Sequence, residues 1–145
     1  MLDETPKPLD IARLTAISYI GTHYLWGGDD PLAGFDCSGF VIEILRSAGK
    51  LPLDGDWTAA GLFEKFRKKE VLAPFSGCLV FYAGVNARIF HVEFCLSDKF
   101  SVGASGGDST TDDIADAIKQ NAYIKIRPIQ RANFLMKFVD PFAED

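Results

Sequence analysis

The spacing of apolar positions changes along the chain. Leu9, Ile11, Ala12, Leu14, Ala16, Ile17, Tyr19 and Ile20 recur at close to a helical period, which predicts a helix over residues 9–21 with Asp10 in its first turn and Gly21 at its end. Phe40, Val41, Ile44, Leu45 and Ala48 mark a second apolar helical face running from Ser38 to Gly49. WTAAGLFEKFRKK reads as a third amphipathic helix, with Thr58 as its cap. Beyond that the pattern shortens. CLVFYA from Cys78, IFHVEFCL from Ile89, FSVGA from Phe100 and YIKIRPI from Tyr123 are β-branched or aromatic runs bounded by Gly, Asn, Asp and Pro, the composition of strands and turns. TDDIADAIKQN, before the last of them, reads as a short helix. Helices first and strands afterwards predict an α+β fold, N-terminal helices packed on an antiparallel sheet, rather than alternating βαβ units.

Composition narrows the function classes. At 145 residues and 48% apolar, the chain predicts one hydrophobic core and a single domain over residues 1–145. Fifteen basic against twenty acidic side chains leave a charge of −5, so counterion release offers no drive toward nucleic acid. The basic cluster Lys65, Arg67, Lys68 and Lys69 falls at a predicted helix end, where cations complement the dipole. MLDETPKPLD is acidic and Pro-containing, unlike a secretory signal, and no apolar run approaches the roughly 20 residues that span a bilayer. The expectation is a chain without a membrane span or signal of its own. Three cysteines without a C-x-x-C, together with only two histidines, predict neither a disulfide framework nor a closed zinc site. No metal or organic cofactor is expected.

One loop concentrates the candidate chemistry. YLWGGDDPLAGFDCSGFV carries four glycines, a proline and three aspartates, and runs straight into the second helix, so Cys37 sits where a loop becomes a helix. Free N–H groups and a partial positive charge at a helix amino terminus stabilise a thiolate. A nucleophilic thiol also needs a base whose second ring nitrogen is held by a third group. The bases available are His23, in the loop with Tyr24 and Trp26, and His91. Alternation in IFHVEFCL places His91, Glu93 and Cys95 on one strand face and Val92 and Phe94 on the other, and a strand can aim an imidazole rigidly. Spacing alone favours the plainer reading of Cys37, an inert buried thiol.

The local strings carry more. Tyr24, Trp26, Gly27, Gly28, then Pro31, then Phe35-Asp36-Cys37-Ser38-Gly39-Phe40-Val41 form Y-x-W-G-G…P…F-D-C-S-G-F-V, which resembles the nucleophile motif of the NlpC-type cell-wall peptidases. His91-Val92, some fifty residues on, resembles the strand that supplies that family's base. The resemblance implies a papain-like α+β core that hydrolyses the bond between γ-D-glutamyl and a diamino acid, usually meso-diaminopimelate or lysine, in peptidoglycan stem peptides. It implies that Cys37 attacks, His91 moves the proton, Tyr24 positions or polarises the substrate carbonyl, and Asp36 and Ser38 recognise a free amine or shape the pocket. For Asp36 a plain helix cap is the competing reading. Backbone N–H groups at the helix start would complete an oxyanion hole.

Two positions depart from the family pattern. The residue that orients the base falls on Gly103, which has no side chain. Glu93, Ser101, Ser105 or a backbone carbonyl are the substitutes, and Glu93 is favoured because a carboxylate best holds an imidazolium, although an i, i+2 neighbour points alongside the base rather than behind it. Cys78 stands where the family commonly has Asp, a position expected to be structural. The GASGGDST run lacks the Lys and the strand-to-helix context of a phosphate loop, and is expected to form a flexible rim of the cleft. The expected partner is a peptidoglycan stem peptide. Absence of a wall-binding repeat or signal points to a cytoplasmic recycling enzyme, or to a virion-associated phage tail or lysis component. A wall-peptide-binding or phage tail assembly module on the same fold, and an acyl-transfer enzyme with a non-wall substrate, are the alternatives.

Overall fold

A computed structural model describes residues 5–30 and 34–145, so Pro31 of the motif lies outside the described residues. The first helix, α1 (Pro8–Ser18), opens on a proline whose missing N–H costs nothing at that position. It stops three residues short of Gly21, whose φ of 95° turns the chain away. Its buried stripe is narrow, Ala12 and Ala16, while Leu14 and Ile17 are exposed. A short hairpin, β1 (Asp29–Asp30) and β2 (Gly34–Phe35), leads into α2 (Cys37–Ser47). Helix α2 buries Phe40, Val41, Ile42, Ile44 and Leu45, and α3 (Ala59–Phe66) buries Leu62, Phe63 and Phe66. Thr58 caps α3, its hydroxyl accepting from Gly61 N at 3.0 Å. A 3₁₀ turn, Arg67–Lys69, carries the basic cluster past the helix end.

The strands are β3 (Glu70–Val71), β4 (Leu79–Ala83), β5 (Ile89–Cys95), β6 (Phe100–Ser105), β7 (Tyr123–Pro128) and β8 (Leu135–Val139), with α4 (Ile114–Gln120) between β6 and β7. They form one antiparallel sheet of order β3-β8-β4-β5-β6-β7. The antiparallel sheet with helices packed on it is the α+β arrangement the hydrophobic pattern predicts. Two strands of this sheet, β3 and β8, were not predicted, and β8 stands inside it, between β3 and β4.

Both sheet faces are covered, but unequally. Val92 and Phe94 of β5 join Leu79, Phe81, Val102 and Ala104 against Phe40, Ile44, Leu45 and Leu62 in the main core. On the opposite face Cys78, Val80, Tyr82, Cys95 and Ile129 form a smaller cluster. Cys78 is thus a packing residue, and burial pushes its thiol up to about 11. No helix among the described residues is long and apolar enough to cross a membrane.

Candidate active site

Close backbone contact builds the start of α2. An added Cβ at Gly39 would stand 2.0 Å from the carbonyl oxygen of Gly28, and one at Gly28 would stand 2.5 Å from that of Gly34. Only glycine lets the 27–28 turn lie against the helix, where Gly28 O accepts from Asp36 N at 3.0 Å. Asp36 is the cap: Oδ1 accepts from Gly39 N at 2.7 Å and from Ser38 Oγ at 3.3 Å, and Oδ2 accepts from Gly27 N at 3.0 Å. Burial raises the Asp36 pKa against these hydrogen bonds. Phe40 N reaches Asp36 O, so the N–H groups of Cys37 and Ser38, the first two of the helix, have no partner among the described residues.

Cys37 opens the helix half-buried, and His91 stands within hydrogen-bond reach of it. His91 Nε2 lies 2.6 Å from Glu93 Oε2, which leaves Nδ1 as the ring nitrogen the carboxylate does not hold. The backbone of His23 forms a β-bridge to Tyr123, and the residue does not line the pockets that Cys37 lines. Burial acts against a charged His91, yet the hydrogen bonds and negative charges of Cys37 and Glu93 outweigh it and raise its pKa to about 9.

Glu93 does reach behind the imidazole, and the reason lies in β6. Pairing between β5 and β6 is confined to Phe94–Val102 and Cys95–Ser101, so toward His91 the strands part. The Glu93 side chain lies over Gly103. Its Cγ lies 2.4 Å, and its Cδ 2.6 Å, from where a Cβ on Gly103 would be. The carboxylate therefore fills the space the missing side chain leaves. It is fully buried and saturated with donors: Ser101 Oγ at 2.8 Å, Ser105 Oγ at 2.9 Å, His91, and both terminal nitrogens of Arg131 at 3.2 and 2.8 Å. Burial would raise its pKa, but His91 and Arg131 hold it well below the usual carboxylate range.

Ser101 and Ser105, the competing third residues, thus serve Glu93 and not the imidazole. Arg131, which sequence reasoning did not single out, packs its guanidinium 4.4 Å over the Tyr82 ring, and Tyr82 in turn donates to Ile129 O at 2.7 Å. No periodicity could mark Arg131, because it lies in the β7–β8 loop, 38 residues from its partner.

Tyr24 is buried and lines the cleft with Cys37. Burial first, then the charges of Cys37, Asp36 and Asp108, push its hydroxyl far above the ordinary phenol range, so it stays a hydrogen-bond donor. Its ring packs where a Cβ on Gly107 would stand, which joins the GASGGDST run to the site. The cleft has two arms that share Tyr24, Trp26, Cys37 and Phe90. One, of about 480 Å³, is lined by Asp29, Asp36, Ser38, Asp56 and Trp57; the other, of about 590 Å³, by His91, Ser105, Asp108, Arg127 and Arg131. No group of three or more His, Cys, Asp or Glu among the described residues is placed to hold a metal ion.

A profile of the NlpC/P60 family matches residues 21–128, from the loop before Cys37 through β7. The chain belongs to the NlpC/P60 family. It is 41% identical over 80 residues to the bifunctional muramidase/DL-endopeptidase CwlT of Bacillus subtilis, covering 53% of this chain and 23% of that protein. It is 26% identical over 131 residues to the probable peptidoglycan endopeptidase LytE of the same bacterium, covering 87% and 35%. These matches therefore span about a quarter to a third of the two relatives. Among solved structures, the peptidoglycan hydrolase RipB of Mycobacterium tuberculosis superimposes with a TM-score of 0.69 at 21% identity, covering 94% of this chain and 66% of that one. RipD of the same organism, a non-catalytic NlpC/p60 domain protein adapted to peptidoglycan binding, gives 0.68 at 17%, covering 93% and 98%. The α+β arrangement is the NlpC/P60 fold.

Proposed function

We propose that this NlpC/P60 chain is a cysteine peptidase that cuts the γ-D-glutamyl–diamino acid bond of peptidoglycan stem peptides, with Cys37 as nucleophile, His91 as base and Glu93 as the residue that holds the base. The observation that carries it is the 2.6 Å His91–Glu93 contact, with His91 and Cys37 lining one cleft. Cys37 Sγ attacks the γ-carbonyl carbon while His91 holds the thiol proton, and the tetrahedral oxyanion is met by the free N–H groups of Cys37 and Ser38 and by the Tyr24 hydroxyl. His91 then gives its proton to the leaving amine, a thioester remains on Cys37, and water activated by the same imidazole releases the acid. The arm with Asp29, Asp36 and Asp56 is acidic and suits a free amine on the acyl part of the substrate. The activities named for CwlT and LytE point the same way.

A wall-peptide-binding module without turnover draws on RipD and on the absent side chain at Gly103. Here Glu93 occupies that space, which removes the second motive. The deciding experiment is a mass-spectrometric digest of purified muropeptides with the wild-type chain and Cys37→Ala in parallel. New fragments ending at γ-D-glutamate from the wild type alone are expected. Bound but uncut peptide with both proteins would replace the peptidase by the binding module. Iodoacetamide gives an independent check, since Cys78 and Cys95 are fully buried with raised pKa values and Cys37 alone lines the cleft. One adduct, on Cys37, with loss of activity, is the expected result.

A further inference from the structure

The two arms of the cleft differ in charge, and the reaction gives each a side. A general acid must touch the leaving amine, so the arm that contains His91 receives the leaving diamino acid and the acidic arm receives the acyl part. Two guanidiniums line the His91 arm, and they are not equivalent. Arg131 is committed, with both terminal nitrogens on Glu93 and its side chain 11% exposed. Arg127 is exposed and reaches only the Ser105 hydroxyl, at 3.4 Å. No ion pair among the described residues includes it.

A second cation stands beside it. Lys125 stands two positions before Arg127 on the edge strand β7, on the same face, and after burial the charge of Arg127 is the next cause holding the Lys125 pKa below its ordinary value. Asp108, the acid lining the arm, is turned to its own loop, accepting from Thr110 N at 2.8 Å and Thr110 Oγ1 at 2.6 Å, and Glu93, on the far side of the Ser105 hydroxyl, is already held by His91 and Arg131. Arg127 therefore presents a planar fork of donors, in no direct ion pair among the described residues, in the arm where the leaving group must lie.

We propose that Arg127 binds a carboxylate of the leaving diamino acid and so makes the site selective for leaving groups that carry one within reach. The term leaving group rests on the peptidase reading; the carboxylate site does not. Two carboxylates share this chemistry, the one on the side chain of a diamino acid such as meso-diaminopimelate and the free C-terminal one of a tripeptide. Loss of one charge-assisted pair corresponds to about a tenfold weakening.

The test is calorimetric titration of the full chain carrying Cys37→Ala, with and without Arg127→Gln, using L-Ala-γ-D-Glu-meso-diaminopimelate and its side-chain, C-terminal and doubly amidated forms. The expected result is a loss of about tenfold on Arg127→Gln for the free acid, and no further loss once the recognised carboxylate is amidated. The amide that cancels the effect identifies which carboxylate is read. Equal binding by both proteins, an equal loss on the doubly amidated peptide, or no binding by the parent would each overturn the proposal. Turnover by the Cys37 chain is measured separately. Its absence, alongside Arg127-dependent binding, would end the peptidase reading and leave the carboxylate site standing.

Discussion

A Cβ at residue 103 cannot coexist with the observed Glu93, since it would stand 2.4 Å from Cγ and 3.0 Å from Oε2. The crowded side chain is not a free flexible end, because Arg131, Ser101 and Ser105 fix its carboxylate. Gly103→Ala is therefore expected to drive Glu93 off His91 and to lower kcat by about 100-fold, close to the effect of Glu93→Gln, with KM little changed. Steady-state rates on a stem tripeptide check this; an alanine variant of full activity would separate Glu93 from the chemistry. The pH profile reports the same contact. With His91 raised to about 9, the alkaline limb of kcat/KM is expected near that value, and in Glu93→Gln it should move toward the ordinary 6.5. Glu93 was legible in the sequence by its chemistry, as the carboxylate sharing a face with His91. Its donors were not, because Arg131 and Ser105 reach it only through the folding of the sheet.

At the scale of elements, the placement of Cys37 depends on helix α2 starting where it does, and two glycines decide that start. Gly39→Ala would push a methyl into the Gly28 carbonyl, a backbone atom that cannot yield, and breaks the seat of the 27–28 turn on the helix. A loss of about 2–3 kcal/mol in chemical unfolding is expected, together with reduced alkylation of Cys37. Thr58→Ala removes only a cap on an exposed helix end and should cost about 1 kcal/mol with turnover retained. Capped amphipathic helices such as α2 and α3 announce themselves in sequence, and so did four strands. β8 did not: its residues Leu135 and Lys137 are exposed and only Val139 is fully buried, so LMKFV lacks the apolar alternation of an inner strand although it pairs on both sides. β3, at two residues, carries no period at all.

For the whole molecule, the buried charge cluster ties stability to pH. Glu93 is held far below its ordinary value of 4.5, so its contribution is complete above that pH and is lost as pH falls. His91 is raised from 6.5 to about 9, so its contribution is complete below 6.5 and is lost as pH rises through about 9. Both are full between roughly 4.5 and 6.5. Asp36, raised by burial, works in the opposite sense on the acid side, so the test is a difference between two proteins that share it. Tm of the wild type minus Tm of Glu93→Gln should be largest inside that window and shrink on both sides. A difference that stays level with pH would mean that Glu93 stabilises by packing alone. Arg131→Gln addresses the third charge. Glu93 is fully buried and His91 would remain its one ion-pair partner among the described residues, so a loss of about 3 kcal/mol is expected at pH 6, growing above pH 9 where His91 is neutral. The growth with pH is the decisive part, because lost packing of Arg131 on Tyr82 would destabilise equally at every pH.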